Sequence, residues 1–440
     1  MAKLTALRMA LMPPLVLLIS LPVVLLLLAI DSEPSLTPMP ALSPSEFSQL
    51  EEILLENAPA STSRASQKLI TLDTEELNLL LRYSAQLLTA SHPWAARMEL
   101  SNEQLHVNAN IGLIDLPTRF FLNIESTLGL DQGRLKLQQL TLGKLSVPAG
   151  LLDPFLHLVV TNLMVANPAI TGLAQLTDQV SNLQISPAAV SFDIQWQPEL
   201  IAELSNQIQQ LFVSDDDRRR IAYYHTQISN TVAAVPTGIR AVPLHTLLIP
   251  LFSAVREESG VSSNPVAENR AAFQALSIYL NGEDIASTTG ISHAQELANP
   301  RPVEVRLQQR EDLAQHVASI AAISSAAGAE LAQLLSTTKE AYDARYRTGF
   351  SFSDLTANSV GVALAEFATK SDESALEFQR RIIALSDDTE YMPVVGNNRD
   401  GMTEAAFSDQ YRDRSSTEFA QRIREIQTMI AERPFFANQQ

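Results

Sequence analysis

The stretch "KEAYDARYRTGFSFSDLTANSVG", Lys339 to Gly361, decides how the distal half of the chain is read. It sets Lys339, Glu340, Asp343, Asp354 and Asn358 around a short aromatic turn, inside a region that is otherwise rich in alanine. Glu340 and Asp343 are spaced i, i+3 near the end of one helix, and Asp354 and Asn358 are spaced i, i+4 at the start of the next. Upstream, "REDLAQHVASIAAISSAAGAELAQLLSTTKEAYDARY" is helical in period with a break expected at Gly328, and its Asp312 and His316 are again i, i+4. Antiparallel folding of these helices brings three polar edges together.

The helical pattern extends in both directions. "SDDDRRRIAYYHTQISNTVAAV" opens with a Ser214 cap and acids in its first turn, where the helix dipole favours them. "LHTLLIPLFSAVREE" and "VAENRAAFQALSIYLNG" follow, the second stopped at Asn281-Gly282, and "STEFAQRIREIQTMIAE" closes the chain. Residues 201–440 are therefore expected to form an all-α domain. "YYHT", Tyr223 to Thr226, reads as a packing surface with a basic collar at Arg218–Arg220.

Before residue 200 the period changes to two. "QLHVNANIGL", "RFFLNIESTL" and "RLKLQQLTL" alternate as half-buried antiparallel strands, the last two joined across an Asp131-Gln132-Gly133 turn. A helix opening at Asp73 or Thr74 precedes them, with Leu77, Leu80, Leu81 and Leu87 on one face. Helices at 151–165 and near 173–183 and a last strand "AVSFDIQW" follow. The fold class is α+β: an α+β domain over 67–200 with a curved antiparallel sheet, then the helical domain.

The N-terminus sets the compartment. "MALMPPLVLLISLPVVLLLLAI", Met9 to Ile30, runs about 22 residues without a charge, enough to cross a hydrocarbon core of about 30 Å as a helix. A cleaved signal peptide has a shorter apolar region ending in small residues, whereas here Asp31 and Glu33 follow directly, so an uncleaved anchor over 9–30 is expected. Lys3 and Arg8 lie in the n-region, residues 1–8, so the positive-inside rule keeps that end cytoplasmic. The bulk of the chain then lies beyond the inner membrane, in the periplasm of a diderm bacterium. Residues 31–66, with several prolines and serines, read as a tether in which 45–57 can form a short helix.

Composition narrows the function classes. The 440 residues carry 31 Lys and Arg against 49 Asp and Glu, a net charge of −18, which excludes nucleic acid as a partner. With no cysteine there is no disulfide, thiolate metal site or thiol nucleophile. Gly-rich phosphate loops, Gly-x-Ser-x-Gly elbows and His-Glu-x-x-His pairs are missing from the sequence. The expected partners are the inner membrane, through the N-terminal helix, and a lipid or an envelope protein.

"ITLDTEELNLLL", the strand meander and "LQQLTLGKLSVPAGLLDPFL" make residues 68–197 similar to the membrane-anchored bacterial YpmS-type family. That resemblance implies a curved sheet with helices behind it, able to hold an acyl chain, and assigns no catalytic residue. In the distal half, the order "DLAQH", "KEAYDAR", "GFSFSD" and "AN-SVG" over 312–361 resembles the YfiM-type envelope lipoproteins and, more remotely, the VanZ-like membrane proteins. The matching positions are Asp312, His316, Lys339, Glu340, Asp343, Ser351, Asp354, Asn358 and Gly361. These families lend no established reaction, and this chain lacks a lipobox.

The candidate catalytic residues are His316, Glu340, Asp343 and Asp354, with Asp312, Lys339 and Asn358 as candidate binding residues. One imidazole with carboxylates can do acid–base work on an envelope substrate. Zinc sites take more nitrogen ligands, so no metal or other cofactor is expected. Each residue also has a structural reading. Ser351-Phe-Ser-Asp354 fits a helix-capping box, His316 can be a buried hydrogen-bonded histidine, and Glu340 and Asp343 can be a salt-bridged helix end beside Lys339, Arg345 and Arg347. Two functions stay open: a non-enzymatic lipid- or protein-binding envelope component, and an envelope hydrolase or metal-dependent enzyme acting on cell-wall or lipid-linked material.

Overall fold

The computed structural model describes residues 28–37, 42–59, 64–88, 94–114, 120–166, 179–197, 215–289 and 300–437. The chain divides into two compact units, one of Met1–Glu46, Ala65–Ile170 and Ala174–Trp196, the other of Phe47–Arg64, Thr171–Leu173 and Gln197–Gln440. Among the described residues no helix is long and apolar enough to cross a membrane. The run expected to do so lies outside them up to residue 27.

The first unit is mixed α+β. Strand β1 (Ile30–Asp31) is followed in this unit by strand β2 (Ser66–Asp73), helix α2 (Thr74–Leu88) and strands β3 (Trp94–Ser101), β4 (Gln104–Ile114), β5 (Phe120–Asp131), β6 (Arg134–Leu142) and β7 (Leu145–Ser146), while helix α1 (Pro44–Asn57), between β1 and β2 in the chain, groups from Phe47 onward with the second unit. Helix α3 (Ala149–Ala166) and strands β8 (Val180–Ile185) and β9 (Ala189–Trp196) complete it. β3 to β7 form an antiparallel meander, with β1 paired to the start of β5 at Ile30↔Leu122. Register shifts at Gly112/Ile114 and Thr127/Leu128 are irregularities of the kind that bend a sheet. The β5–β6 hairpin turns on Gln132 and Gly133, both at positive φ, as a two-residue loop requires. Leu105, Ile185 and Val190 centre a small core.

One expected helix is corrected here, and two further elements are placed. The segment before α2 is a strand that the sequence reading did not assign: β2 pairs with β9 along its whole length, giving a separate three-stranded sheet β2-β9-β8. Val180–Ile185, placed in a helix near 173–183, is strand β8 on that sheet, while 171–178 lie outside the described residues. Within 31–66 the short helix expected at 45–57 is present as α1, with Leu50, Ile53 and Leu55 buried. Helix α2 starts with a reciprocal cap, the Asp73 carboxylate accepting from Glu76 N and the Glu76 carboxylate from Asp73 N, each at 2.8 Å. Asp73→Ala is expected to cost the first unit about 1 kcal/mol in a denaturant titration.

The second unit is helical. It contains α4 (Asp215–Ala234), strand β10 (Ala241–Pro243), α5 (His245–Ser262), α6 (Pro265–Leu280), α7 (Ile285–Thr289), strand β11 (Glu304–Arg306), α8 (Glu311–Ala327), α9 (Ala329–Tyr346), α10 (Phe352–Thr369), α11 (Asp372–Ile383), α12 (Glu404–Tyr411) and α13 (Thr417–Ala431). The all-α expectation is corrected by β10 and β11, a short parallel pair. α6 ends at Asn281-Gly282, and Gly328 separates α8 from α9 with φ 95°. Phe252, Phe273, Phe367, Phe378 and Phe435 pack ring on ring in the core. Phe350 and Phe352 are buried against Phe407, Tyr411 and Phe419.

Candidate functional site

The site is built where α8, α9 and α10 meet. Ser351 caps α10 by accepting from Asp354 N at 3.0 Å. Gly349, at φ 93°, lets the preceding turn pass the backbone of Gly401, whose carbonyl carbon would stand 2.4 Å from a Cβ. Phe350 then exchanges both backbone hydrogen bonds with Met402, which fixes the 396–402 loop beside the start of α10. At Gly361 a Cβ would stand 2.7 Å from the Val317 carbonyl oxygen and 3.0 Å from Ala321 N. Only a missing side chain allows α8 and α10 to approach to backbone contact here.

That crossing brings His316 of α8 onto Asn358 and Asp354 of α10. His316 Nδ1 is 2.8 Å from Asn358 Oδ1 and Nε2 is 3.4 Å from Asp354 Oδ2. With the Asn358 carbonyl oxygen facing Nδ1, that nitrogen carries a hydrogen, and Nε2, between the Asp354 carboxylate and the Lys339 ammonium, is the nitrogen that can gain or lose a proton. From α9, Lys339 Nζ stands 3.4 Å from His316 Nε2, 3.5 Å from Glu340 Oε1 and 3.0 Å from Asp343 Oδ2. Its side chain is 52 % exposed, while Glu340 beneath it is 0 % exposed. Glu340 Oε2 accepts from Ser351 N at 3.2 Å, whereas Oε1 receives no hydrogen bond among the described residues.

Arg310, in extended backbone just before α8, gathers carboxylates from three segments: Asp312 at 2.5 Å, Asp354 at 2.8 Å and Asp400 at 3.1 Å. Asp400 also accepts from Ser351 Oγ at 3.0 Å and Ser353 N at 2.9 Å.

The electrostatics follow from burial and neighbours. Burial pushes the Glu340 carboxyl up to about 7, against the opposing Lys339 charge and with the help of the nearby Asp354 carboxylate. Burial also acts to raise Asp354, but the hydrogen bond and charge of His316, with Arg310 and Ser351, outweigh it and hold this carboxyl below its usual range. Burial acts to lower Lys339, and the Glu340, Asp343 and Asp354 carboxylates overcome it, so the ammonium keeps its proton more tightly than usual. The Arg310 hydrogen bond holds Asp312 low.

The structure therefore brings together His316, Glu340, Asp354, Asn358 and Lys339, with Asp343 joined to them through the lysine ammonium at 3.0 Å. The pairing of Asp312 with His316 is corrected. Asp312 turns to Arg310, whose Nε and Nη2 grip both of its oxygens, and a two-pronged guanidinium pair of this kind outcompetes a single contact to an imidazole. Arg310 and Asp400 escaped the sequence reading, since they sit 90 residues apart with no shared period. The only sequence signal was an arginine two residues ahead of Asp312. Asp354 fills the acid position of the capping motif, but its side chain points to Arg310 and His316.

His316, Glu340 and Asp354 each offer one ligand atom, all within 4.8 Å of one another. This is a donor set a divalent ion can use, but the Lys339 ammonium already stands among these atoms, so the positive charge there is the chain's own. "YYHT" lies elsewhere, on α4. Tyr224 is buried and donates to Glu268 Oε2 at 2.6 Å, and Arg220 pairs with the other oxygen at 2.9 Å, a packing role as expected. The Ser214 cap falls outside the described residues. In comparisons with known proteins the chain matches no family model, no curated protein and no solved structure.

Proposed function

We propose that this chain is a single-pass, membrane-anchored envelope protein whose helical unit carries a general acid–base site acting on cell-wall or lipid-linked material. The uncharged run that begins at Met9 behind Lys3 and Arg8 supports the anchor and its orientation, its last residue Ile30 already belonging to strand β1. Kinship with the YfiM-type envelope family over 312–361 belongs to the same proposal.

One observation carries the acid–base reading: Glu340 is fully buried, its Oε1 faces the Lys339 ammonium at 3.5 Å but receives no hydrogen bond among the described residues, and burial moves its ionisation to about 7. A network that served only to hold helices together would gain by satisfying that oxygen. A carboxyl that changes charge near neutrality beside an imidazole is instead suited to proton transfer.

In this reading His316 Nε2 takes the proton from an attacking water or hydroxyl while Asn358 holds the ring by Nδ1, and the imidazolium returns that proton to the group that leaves as its bond to the attacked centre breaks. Asp354, kept ionised, faces the imidazolium that results and is held in place by Arg310 and Ser351. Lys339 lies over Nε2 on a flexible, half-exposed stem. When it swings aside the nitrogen opens to solvent, and its ammonium is then placed to meet negative charge developing on the substrate. Glu340 sets the charge behind the pair according to its own protonation.

The test uses the full-length chain in vesicles, incubated with isolated envelope material, with released products read by mass spectrometry. His316→Gln is expected to lose product release by roughly 100-fold or more while melting like the parent. Equal release by parent and variant, or no release by either, contradicts the reading.

A second reading, a non-enzymatic lipid- or protein-binding component in which the cluster fixes helix register, is favoured by Arg310, whose guanidinium is fully engaged across three carboxylates. Under it, His316→Gln lowers the amount of folded protein and releases no chemistry to lose.

A further inference from the structure

Helix α3 of the first unit is apolar beyond what its packing uses. Among its described side chains Leu152 is buried, with Phe155 and Val159 half-buried on the same ridge. Leu151 and Leu158, two turns apart on the adjoining flank, are 56 % and 60 % exposed, with exposed Pro154 between them. This stripe carries no charge, and Asp153, the acid of the helix, projects from the other side.

What covers the stripe is indicated by where the chain enters the unit. Residues 1–27 precede the first described residue and include the apolar run from Met9. The chain emerges at Leu28, whose carbonyl accepts from Lys144 N at 2.7 Å. A Cβ on Gly143 would lie 2.7 Å from the Ala29 carbonyl, so the emerging segment runs directly against the β6–β7 turn. Helix α3 begins five residues beyond Lys144, and β1, which anchors the emerging chain, belongs to the same unit. Entry point and apolar stripe are thus tied to one short hairpin.

We propose that α3 lies on the surface of the bilayer, with Leu151, Pro154 and Leu158 set among the acyl chains beside the point where the N-terminal segment leaves the membrane. This rests on the anchor reading given above. Because the stripe is uncharged and the protein carries −18, the attraction is apolar, so a zwitterionic surface suffices and added salt does not release it.

The natural chain has no cysteine, so single substitutions can be labelled without background. The full-length chain would carry an environment-sensitive fluorophore at Leu158→Cys, Leu151→Cys or, for comparison, Asp153→Cys, in phosphatidylcholine vesicles with or without doxyl-labelled acyl chains. Expected are blue-shifted emission at 151 and 158, quenching there by the doxyl lipid and little by aqueous iodide, and the reverse at 153. Iodide quenching at 158 equal to that at 153 overturns the proposal. So does shielding at 158 that vanishes as protein is diluted into lipid, which indicates a second copy of the chain instead. Flotation of the same samples reports the anchor separately. Chain that floats with residue 158 in water overturns this inference alone, and chain that does not float overturns both readings.

Discussion

Glutamine in place of Glu340 is expected to stabilise the protein at pH 8 by on the order of 3 kcal/mol. The carboxyl is raised from 4.5 to about 7 in the folded state because burial penalises its charge more than Lys339 compensates. A raised acid binds its proton more tightly when folded, so its contribution to stability is fully present below about pH 4.5 and is lost as pH rises through about 7. The parent should therefore lose stability across that window relative to Glu340→Gln, with the two converging near pH 4. The glutamine oxygen can keep the hydrogen bond from Ser351 N, so the substitution removes the charge and leaves the packing. Subtracting the variant's denaturant titrations from the parent's cancels the other carboxylates of this acidic chain. A difference that does not change with pH would contradict the account.

Valine at Gly361 is expected to destabilise the helical unit by roughly 3 kcal/mol, at the upper end of what overpacking costs. The atoms a side chain would meet are backbone, the carbonyl of Val317 and the amide of Ala321, and neither can rotate away as a flexible side chain does. α8 and α10 must then separate, and this also pulls His316 from Asn358. The imidazole resonances of His316 should consequently shift even where the variant remains folded. A denaturant midpoint unchanged from the parent would show that the crossing is looser than described.

Local signals in the sequence were read well. The Gly328 break, the Asn281-Gly282 stop, the Ser351 cap and the Asp131-Gln132-Gly133 turn each depend on residues within a few positions of one another. The convergence of His316, Glu340 and Asp354 was also legible, because i, i+3 and i, i+4 spacing puts polar groups on one edge of each helix before any packing is known. Non-local partners were not legible. β2 went unassigned because its pairing partner β9 lies more than a hundred residues downstream. Arg310 and Asp400 meet only through the loop that Gly349 and Gly401 allow to close on α10. The same competition took Asp312 from His316: spacing placed the two on one face, but a guanidinium two residues earlier bound the carboxylate on both oxygens.

The central claim, a buried carboxyl that exchanges its proton near neutrality beside His316, is most directly tested by following that carboxyl itself. Infrared difference spectra of the protonated C=O stretch, titrated from pH 4 to pH 9 and referenced to Glu340→Gln, isolate the one group. The account predicts a band that belongs to Glu340 and disappears with a midpoint at about 7. A band lost near the ordinary 4.5, or no band absent from the glutamine variant, would contradict it.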